Sequence, residues 1–168
     1  MSRLLLTSDL HLGHKNICKY RSMFSSAEEH HNIVFDNLAT SVRKRDTLWL
    51  LGDIAFTKEW LARMKEIKCI RKVLISGNHD TERGIHMKDL VDVYDDVFSL
   101  VSHRNVWFSH CPIHPQEIRN RKLCIHGHLH DQIVTDNLGQ QDKRYVNVCV
   151  DHTDFKPITF QEIIEKIS

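Results

Sequence analysis

The sequence predicts an α/β fold with two β-sheets in one domain, and three observations point there. Through the first half, short apolar runs alternate with amphipathic segments, the pattern of parallel strands joined by helices. The second half turns to a hairpin-like run followed by more strands, a more antiparallel pattern. Residues suited to binding a metal or a substrate follow one strand after another, at the edge where open α/β sheets bind their ligands.

The elements follow in order. Leu4-Leu5-Leu6 is a brief apolar run bounded by polar residues and is expected to be a strand. Ser26-Ala27-Glu28-Glu29 resembles a capping box, and Val34, Leu38 and Val42 recur every four positions, so a helix is expected there. Thr47-Leu48-Trp49-Leu50-Leu51 is the second strand. Residues 58–68 form a second helix, with Leu61, Met64 and Ile67 along one side. Lys72-Val73-Leu74-Ile75 is the third strand. Residues 96–110, DVFSLVSHRNVWFSH, read as a hairpin with Arg104-Asn105 at its turn and Val106-Trp107-Phe108 in its return strand. Further strands are expected at Leu123-Cys124-Ile125 and Val146-Asn147-Val148-Cys149-Val150. A second capping box, Thr159-Phe160-Gln161-Glu162, opens the last helix, with Pro157 just outside it. With no repeat, low-complexity segment or long linker, residues 1–168 are expected to form a single domain.

A chain of 168 residues buries roughly 70% of its unfolded surface as one domain. Its 23 basic and 22 acidic residues leave a formal charge of +1, which excludes the global basic field of a nucleic-acid binder but not a nuclease with few contacts. The five cysteines (Cys18, Cys69, Cys111, Cys124, Cys149) are widely spaced and contain no C-x-x-C. Buried free thiols in a reducing cytosol are expected rather than disulfides. The three leucines near the start are too few for a signal-peptide core, and no run nears the ~18 apolar residues of a membrane span. A cytoplasmic protein with no membrane partner is expected.

The chemistry collects after the strands. Asp9-Leu10-His11 follows the first, Gly52-Asp53 the second and Gly77-Asn78-His79-Asp80 the third; Ser109-His110 and Gly127-His128-Leu129-His130 follow later ones. Taken singly, each is an ordinary polar turn. Together, at strand ends, they offer carboxylate, amide and imidazole ligands without a thiolate. Such nitrogen and oxygen sets suit divalent Mn, Fe, Ni or Zn in sites with open positions. Alternation along an extended segment sends Asp9 and His11 to one face, and likewise His128 and His130.

This ordered set, D-x-H, G-D, G-N-H-D, H and G-H-x-H, resembles the calcineurin-like metallophosphoesterase superfamily over about three-quarters of the chain, from Asp9 to His130. The resemblance implies a two-sheet sandwich flanked by helices, with two divalent ions, manganese foremost, at the strand ends. By motif position, Asp9, His11, Asp53 and His130 hold one ion and Asp53, Asn78, His110 and His128 the other, so that Asp53 bridges. The implied reaction is phosphoester hydrolysis, in which a hydroxide shared by two metals attacks phosphorus and His79 is the general acid. His126 is expected in the core or behind the ligands, and Asp80 has no assigned partner.

Departures narrow the reading. Gly52-Asp53-Ile54-Ala55-Phe56 lacks the G-D-x-x-D-R-G of the phosphoprotein phosphatases, which disfavours protein-phosphatase activity. The chain is also too short for the capping domain of the repair nucleases, so an open site is expected, suiting a phosphodiester such as a cyclic nucleotide or a short nucleic-acid end. A phosphomonoesterase or nucleotide pyrophosphatase is the alternative on the same residues. A non-catalytic scaffold of this fold is a third reading, disfavoured by the presence of His79. His14 is expected as a substrate contact or supporting donor, alongside Asn78. Arg21, Arg104, His103 and His114 are further candidates for phosphate contact, whereas Lys15 and His152 are expected at the surface.

Overall fold

The apolar runs of the first half become adjacent parallel strands in a computed structural model that describes residues 2–167. Strands β1 (Leu4–Thr7), β2 (Thr47–Leu50), β3 (Arg71–Ile75) and β4 (Asp96–Phe98) run parallel, and β9 (Ile158–Thr159) closes the β1 edge antiparallel. The second sheet has the order β5 (Leu100–His103), β6 (Val106–Ser109), β7 (Cys124–His126), β8 (Tyr145–Asn147). Around the sheets lie α1 (Ala27–Ser41), α2 (Lys58–Arg63), α3 (Met87–Val91), α4 (Pro115–Ile118) and α5 (Phe160–Ile167).

Strand alternation divides the core between two layers. Leu4, Leu6, Trp49, Leu51, Val73 and Ile75 face the second sheet and pack on Val106, Phe108 and Ile125. Leu5, Leu48, Leu50 and Leu74 point the other way, onto Val34, Phe35, Leu38 and Leu61 of α1 and α2. A sheet covered on both faces is apolar at successive positions, which is why these strands read as continuous runs. On the outer face of the second sheet, Cys124 and Tyr145 pack with Ile118 of α4.

Several expectations are corrected. The expected helix at 58–68 is α-helical only to Arg63 and continues as a 3-10 turn over Met64–Glu66, although Leu61, Met64 and Ile67 are all buried as expected. The run 96–110 is split: Asp96–Phe98 pairs with β3 in the first sheet, and the hairpin begins at Leu100. Its turn is the expected Arg104-Asn105, both residues at positive φ, as a two-residue hairpin turn matching strand twist requires. The second sheet is less antiparallel than expected, since β6–β7 and β7–β8 are parallel. The strand expected over 146–150 ends at Asn147, and Val150–His152 is a 3-10 turn.

Both expected helix starts cap as the sequence indicates, with one displacement. Ser26 accepts from the Glu29 N–H, but the Glu29 carboxylate reaches back to Ser25 rather than Ser26. Thr159 and Glu162 make the full reciprocal box. The five cysteines are free; Cys124 and Cys149 are buried as expected, whereas Cys18 and Cys69 are half-buried and Cys111 is exposed. Among the described residues no helix is long and apolar enough to cross a membrane.

Helix α1 buries two imidazoles. An Arg21 N–H donates to His30 Nε2 at 2.9 Å, which leaves His30 Nδ1 to donate to His31 Nδ1 at 3.0 Å. Both rings are therefore held neutral. Burial first, then the Arg21 charge, pushes His30 down to about 3, and burial pushes His31 down to about 4. Above pH ~6.5 both are neutral folded or unfolded; below it the unfolded chain takes up protons that the folded one refuses. Stability should thus fall as pH drops from about 6.5, by about 2 kcal/mol per histidine at pH 5, and level off near pH 3–4. Urea unfolding at pH 7.5 and 5.0 measures this. His31→Asn, which keeps an acceptor for His30, should show a shallower loss; an identical pH dependence would remove His31 from the effect.

Candidate metal centre

The loops after β1 and β2 do not diverge from the sheet but stay zipped to each other. Asp9 N–H donates to the Gly52 carbonyl, His11 to Asp53 and Leu12 to Ile54, at 3.0–3.1 Å. To keep this pairing while turning side chains inward, Asp9, His11 and Asp53 adopt positive φ (58, 51 and 56°), as do His128 and His130 (70 and 50°). The extended alternation expected at 9/11 and 128/130 is therefore corrected. Each pair converges through left-handed backbone, a conformation that non-glycine residues hold only where the surroundings over-determine it.

Asp80 supplies part of that determination. Its buried carboxylate accepts from the N–H groups of Asp53, Ile54 and Gly77 at 2.8–2.9 Å, tying the Gly-Asp loop to the Gly-Asn-His-Asp loop. Burial pushes the carboxyl up, against these three donors, which favour its charged form. Gly127 supplies another part. A Cβ there would collide with Ser8 Oγ and Asp9 Oδ2, so only glycine lets the His128 N–H reach Asp9 Oδ2 at 2.9 Å.

The side chains converge in two overlapping sets. His110 Nε2 lies 3.1 Å from Asn78 Oδ1, 3.2 Å from His128 Nδ1 and 3.3 Å from Asp53 Oδ2. Its other nitrogen, Nδ1, is held by the Leu51 carbonyl at 2.7 Å. On the other side, His11 Nε2 is 3.7 Å from Asp9 Oδ1 and 4.0 Å from Asp53 Oδ2, and Asp9, His11 and His130 offer ligand atoms within 4.8 Å of one another. Asp53 joins the two sets, and Asp9 also offers an oxygen within 4.8 Å of the Asp53 and His110 ligand atoms.

The electrostatics favour a cation. Asp9 and Asp53 are 0% and 2% exposed. Burial pushes Asp9 up, yet His11, His110, the Ser8 hydroxyl and the His128 N–H override it and hold it well below the carboxylate range. Asp53 is likewise lowered against burial, by His110. Burial lowers His110, but Asp53 and Asp9 raise it to about 9. Asp9 Oδ1 and His11 Nε2 are buried with no hydrogen-bond partner and face each other. A buried carboxylate oxygen opposite a bare imidazole nitrogen fits a divalent cation between them.

Residues that the sequence reading missed or misplaced hold this arrangement. Arg21, one of the candidates for phosphate contact, is 2% exposed and points inward. It donates to both Asp151 oxygens (2.9 and 2.7 Å) and to the Asp9 carbonyl at 2.8 Å. Asp151 Oδ2 lies 3.5 Å from His130 Nδ1, the carboxylate–imidazole pairing that orients metal-binding histidines. Asp151 raises His130, against burial. Burial pushes Asp151 up, but His130 and Arg21 hold it far below the usual range. Cys111 and Cys149 also place sulfurs within 4.8 Å of the His110/His128 and His130/Asp151 atoms, so thiols do stand beside the ligands.

The remaining candidates separate. His103 and Arg104 sit at the hairpin turn, at the opposite end of β6 from His110, and pack on Trp49 and Phe160. His114 caps α4. Those three are not brought to the centre. His126 is buried and bonds the Gly127 carbonyl, as expected of a residue behind the ligands. His79 packs near Phe56 and His11, with Nδ1 at 2.9 Å from Glu82 Oε2, and His14 packs on the same Phe56. A cleft of about 290 Å³ opens beside Asn78 and His110, walled by Ser99, Leu100, Pro112 and Ile113. A larger cavity of about 420 Å³ lies at the β8 edge near α5 and includes none of the converging ligands.

Residues 2–162 match the family described as calcineurin-like phosphoesterase. This chain belongs to that family. As a calcineurin-like phosphoesterase it is a metal-dependent phosphoester hydrolase, and its two helix-flanked sheets are the family's sandwich. It is similar to the gene 66 protein of Mycobacterium phage L5, at 32% identity over 90% of this chain and 87% of that one. An uncharacterized protein of Methanocaldococcus jannaschii is 27% identical over 99% of this chain and 92% of its own. The crystal structure of a protein of unknown function from Aquifex aeolicus superimposes with a TM-score of 0.75 at 26% identity, covering 99% of this chain and 100% of that one.

The Asp151–His130 contact yields a test. Asp151→Asn should weaken metal affinity ~10–100-fold, the usual effect of losing such a carboxylate, as measured by competition with a chelating dye, and should also lower stability because it leaves the buried Arg21 without its carboxylate. Unchanged affinity would show that His130 needs no orienting partner. Arg21→Met should destabilise the protein too, by up to about 3–5 kcal/mol, because it takes the guanidinium from a half-buried Asp151 and from the Asp9 carbonyl; urea unfolding measures that loss.

Proposed function

We propose that the protein, one domain over residues 1–168, is a phosphodiesterase using two divalent cations, manganese foremost. Asp9, His11, Asp53 and His130 hold one ion, and Asp53, Asn78, His110 and His128 hold the other. The observation that carries this reading is the position of Asp53 Oδ2, 4.0 Å from His11 Nε2 and 3.3 Å from His110 Nε2, where one carboxylate serves both sets. When bound, two such ions supply charge stabilisation for phosphoryl oxygens and an acidified water as nucleophile.

The chain's own residues do the rest. His79 is the general acid. Glu82 engages its Nδ1 and fixes the ring, leaving Nε2 to give a proton to the departing oxygen. The His79 backbone N–H donates to Asp53 Oδ1 at 2.9 Å, which ties the acid's loop to the shared ligand. His14 contacts substrate beside His79, and its Nδ1 is buried without a partner; Asn78, exposed at the rim, meets both ion and substrate. The cleft at Leu100, Pro112 and Ile113 supports a diester, since it leaves room for a second ester substituent that a monoester lacks.

The reading is tested on metal-stripped protein with Mn²⁺, Ni²⁺, Zn²⁺ or Mg²⁺ added back. Bis-p-nitrophenyl phosphate should be hydrolysed in preference to p-nitrophenyl phosphate, and the reverse preference would make the protein a monoesterase. His79→Ala should leave metal content unchanged and slow the reaction according to the leaving group. The loss should be small for p-nitrophenolate, which departs without a proton, and ~10²–10⁴ for an alkoxide such as a ribose oxygen. Equal losses on both would make His79 a positioning residue and not an acid.

A further inference from the structure

Phe56 is a buried ring, 2% exposed, that gathers more than the metal-centre histidines. His11 stacks on it at 4.8 Å between centroids, and His14 and His79 pack at 5.0 and 5.1 Å. The Arg83 guanidinium lies over the same ring, 4.7 Å from its centroid. Arg83 stands in the loop that leaves His79, at positive φ (53°), and the loop is pinned by buried Ile85.

Four other arginines are tied to carboxylates. Arg3, Arg21, Arg71 and Arg144 pair with Asp46, Asp151, Asp96 and Asp142. The acid next to Arg83, Glu82, is engaged by His79. Stacking on an aromatic face orients a guanidinium without using its N–H donors. Arg83 is thus held at the rim, one ring removed from His11, with its fork turned to neither a carboxylate nor a carbonyl among the described residues.

We propose that Arg83 anchors a second phosphate next to the scissile one, so that the site takes phosphodiesters flanked by a further phosphate. The inference rests on the phosphodiesterase reading above. A phosphate held among Asp53, His110 and the other ligands is one ring away from Arg83, so the fork serves a neighbouring group and not the reacting one. Planar guanidinium matched to phosphate oxygens in pairs is the usual recognition of such a group. The neighbouring phosphate is that of a nucleic-acid strand, reached across a sugar, or that of a nucleoside polyphosphate, joined by an anhydride.

Calorimetric binding to the full-length, Mn²⁺-loaded protein separates the outcomes without requiring turnover. Thymidine 3′,5′-bisphosphate is compared with thymidine 5′-monophosphate for the strand-like case, and ADP with AMP for the anhydride case. In at least one pair the second phosphate should tighten binding, and Arg83→Gln should reduce that advantage about 10-fold or more. Arg83→Lys, which keeps the charge and loses the fork, should restore part of it. The pair that responds identifies the source. No advantage in either pair, or an advantage that Arg83→Gln leaves intact, overturns the proposal. Equal weakening of both members of a pair overturns it too, because Arg83 would then contact the shared phosphate. Failure to hydrolyse bis-p-nitrophenyl phosphate would strike the phosphodiesterase reading instead, and the binding arms would still decide Arg83.

Discussion

Holding a carboxylate out of water costs several kcal/mol unless partners offset it, and this fold does so at two adjoining positions, Asp9 and Asp53, where backbone N–H groups, Ser8 and His110 are the partners. The loops around them are built to make that placement unavoidable. Backbone pairing between residues 9–12 and 52–54 continues the β1–β2 ladder past the strands. Asp80 clamps the second loop to the third, and the His128 N–H closes onto Asp9 from the other sheet. The two sheets therefore meet at the centre as well as in the core. Each sheet contributes some of the candidate ligands, and neither candidate set is complete on one sheet.

Behind the ligands a second layer keeps them aimed. Arg21 joins the Asp9 carbonyl, Asp151 and His30 through one guanidinium. A backbone bend after β1, a 3-10 turn after β8 and helix α1 are thereby linked through a side chain that is itself out of water. Positive φ at Asp9, His11, Asp53, His128 and His130 is strain of about 1–3 kcal/mol at each residue, and it is tolerated because this layer leaves the loops little freedom to relax. The same rigidity suits chemistry that depends on placing charge in advance.

What could be read from the sequence was what repeats locally. Strands β1, β2 and β3 were legible because both of their faces are buried, which leaves uninterrupted apolar runs, and the ligand candidates were legible because each follows such a run. The helix caps at Ser26 and Thr159 are local too. Partners distant in the chain left no local trace: Arg21 and Asp151 are separated by 130 positions, and Arg21 alone looks like any surface arginine. The split of residues 96–110 between two sheets was hidden because Val97, Val101 and Val106 carry the same alternation whichever sheet they join. The left-handed ligand backbone was unreadable for a related reason. Asp and His in an apolar-flanked turn do not announce φ, and only the paired loop beside them imposes it. Glu82 was within reach, since it lies three residues after His79 in a turn, the spacing at which side chains meet.

The central claim is that Asp53 serves two cations at once. The most direct measurement is elemental analysis of metal-stripped protein saturated with Mn²⁺ and freed of excess ion, made on the wild type, Asp53→Asn and His11→Ala. Two ions per wild-type chain are expected, both weakened or lost in Asp53→Asn, with one set spared in His11→Ala. One ion or none in the wild type, or an Asp53→Asn protein that stays full while His11→Ala empties, would contradict that claim.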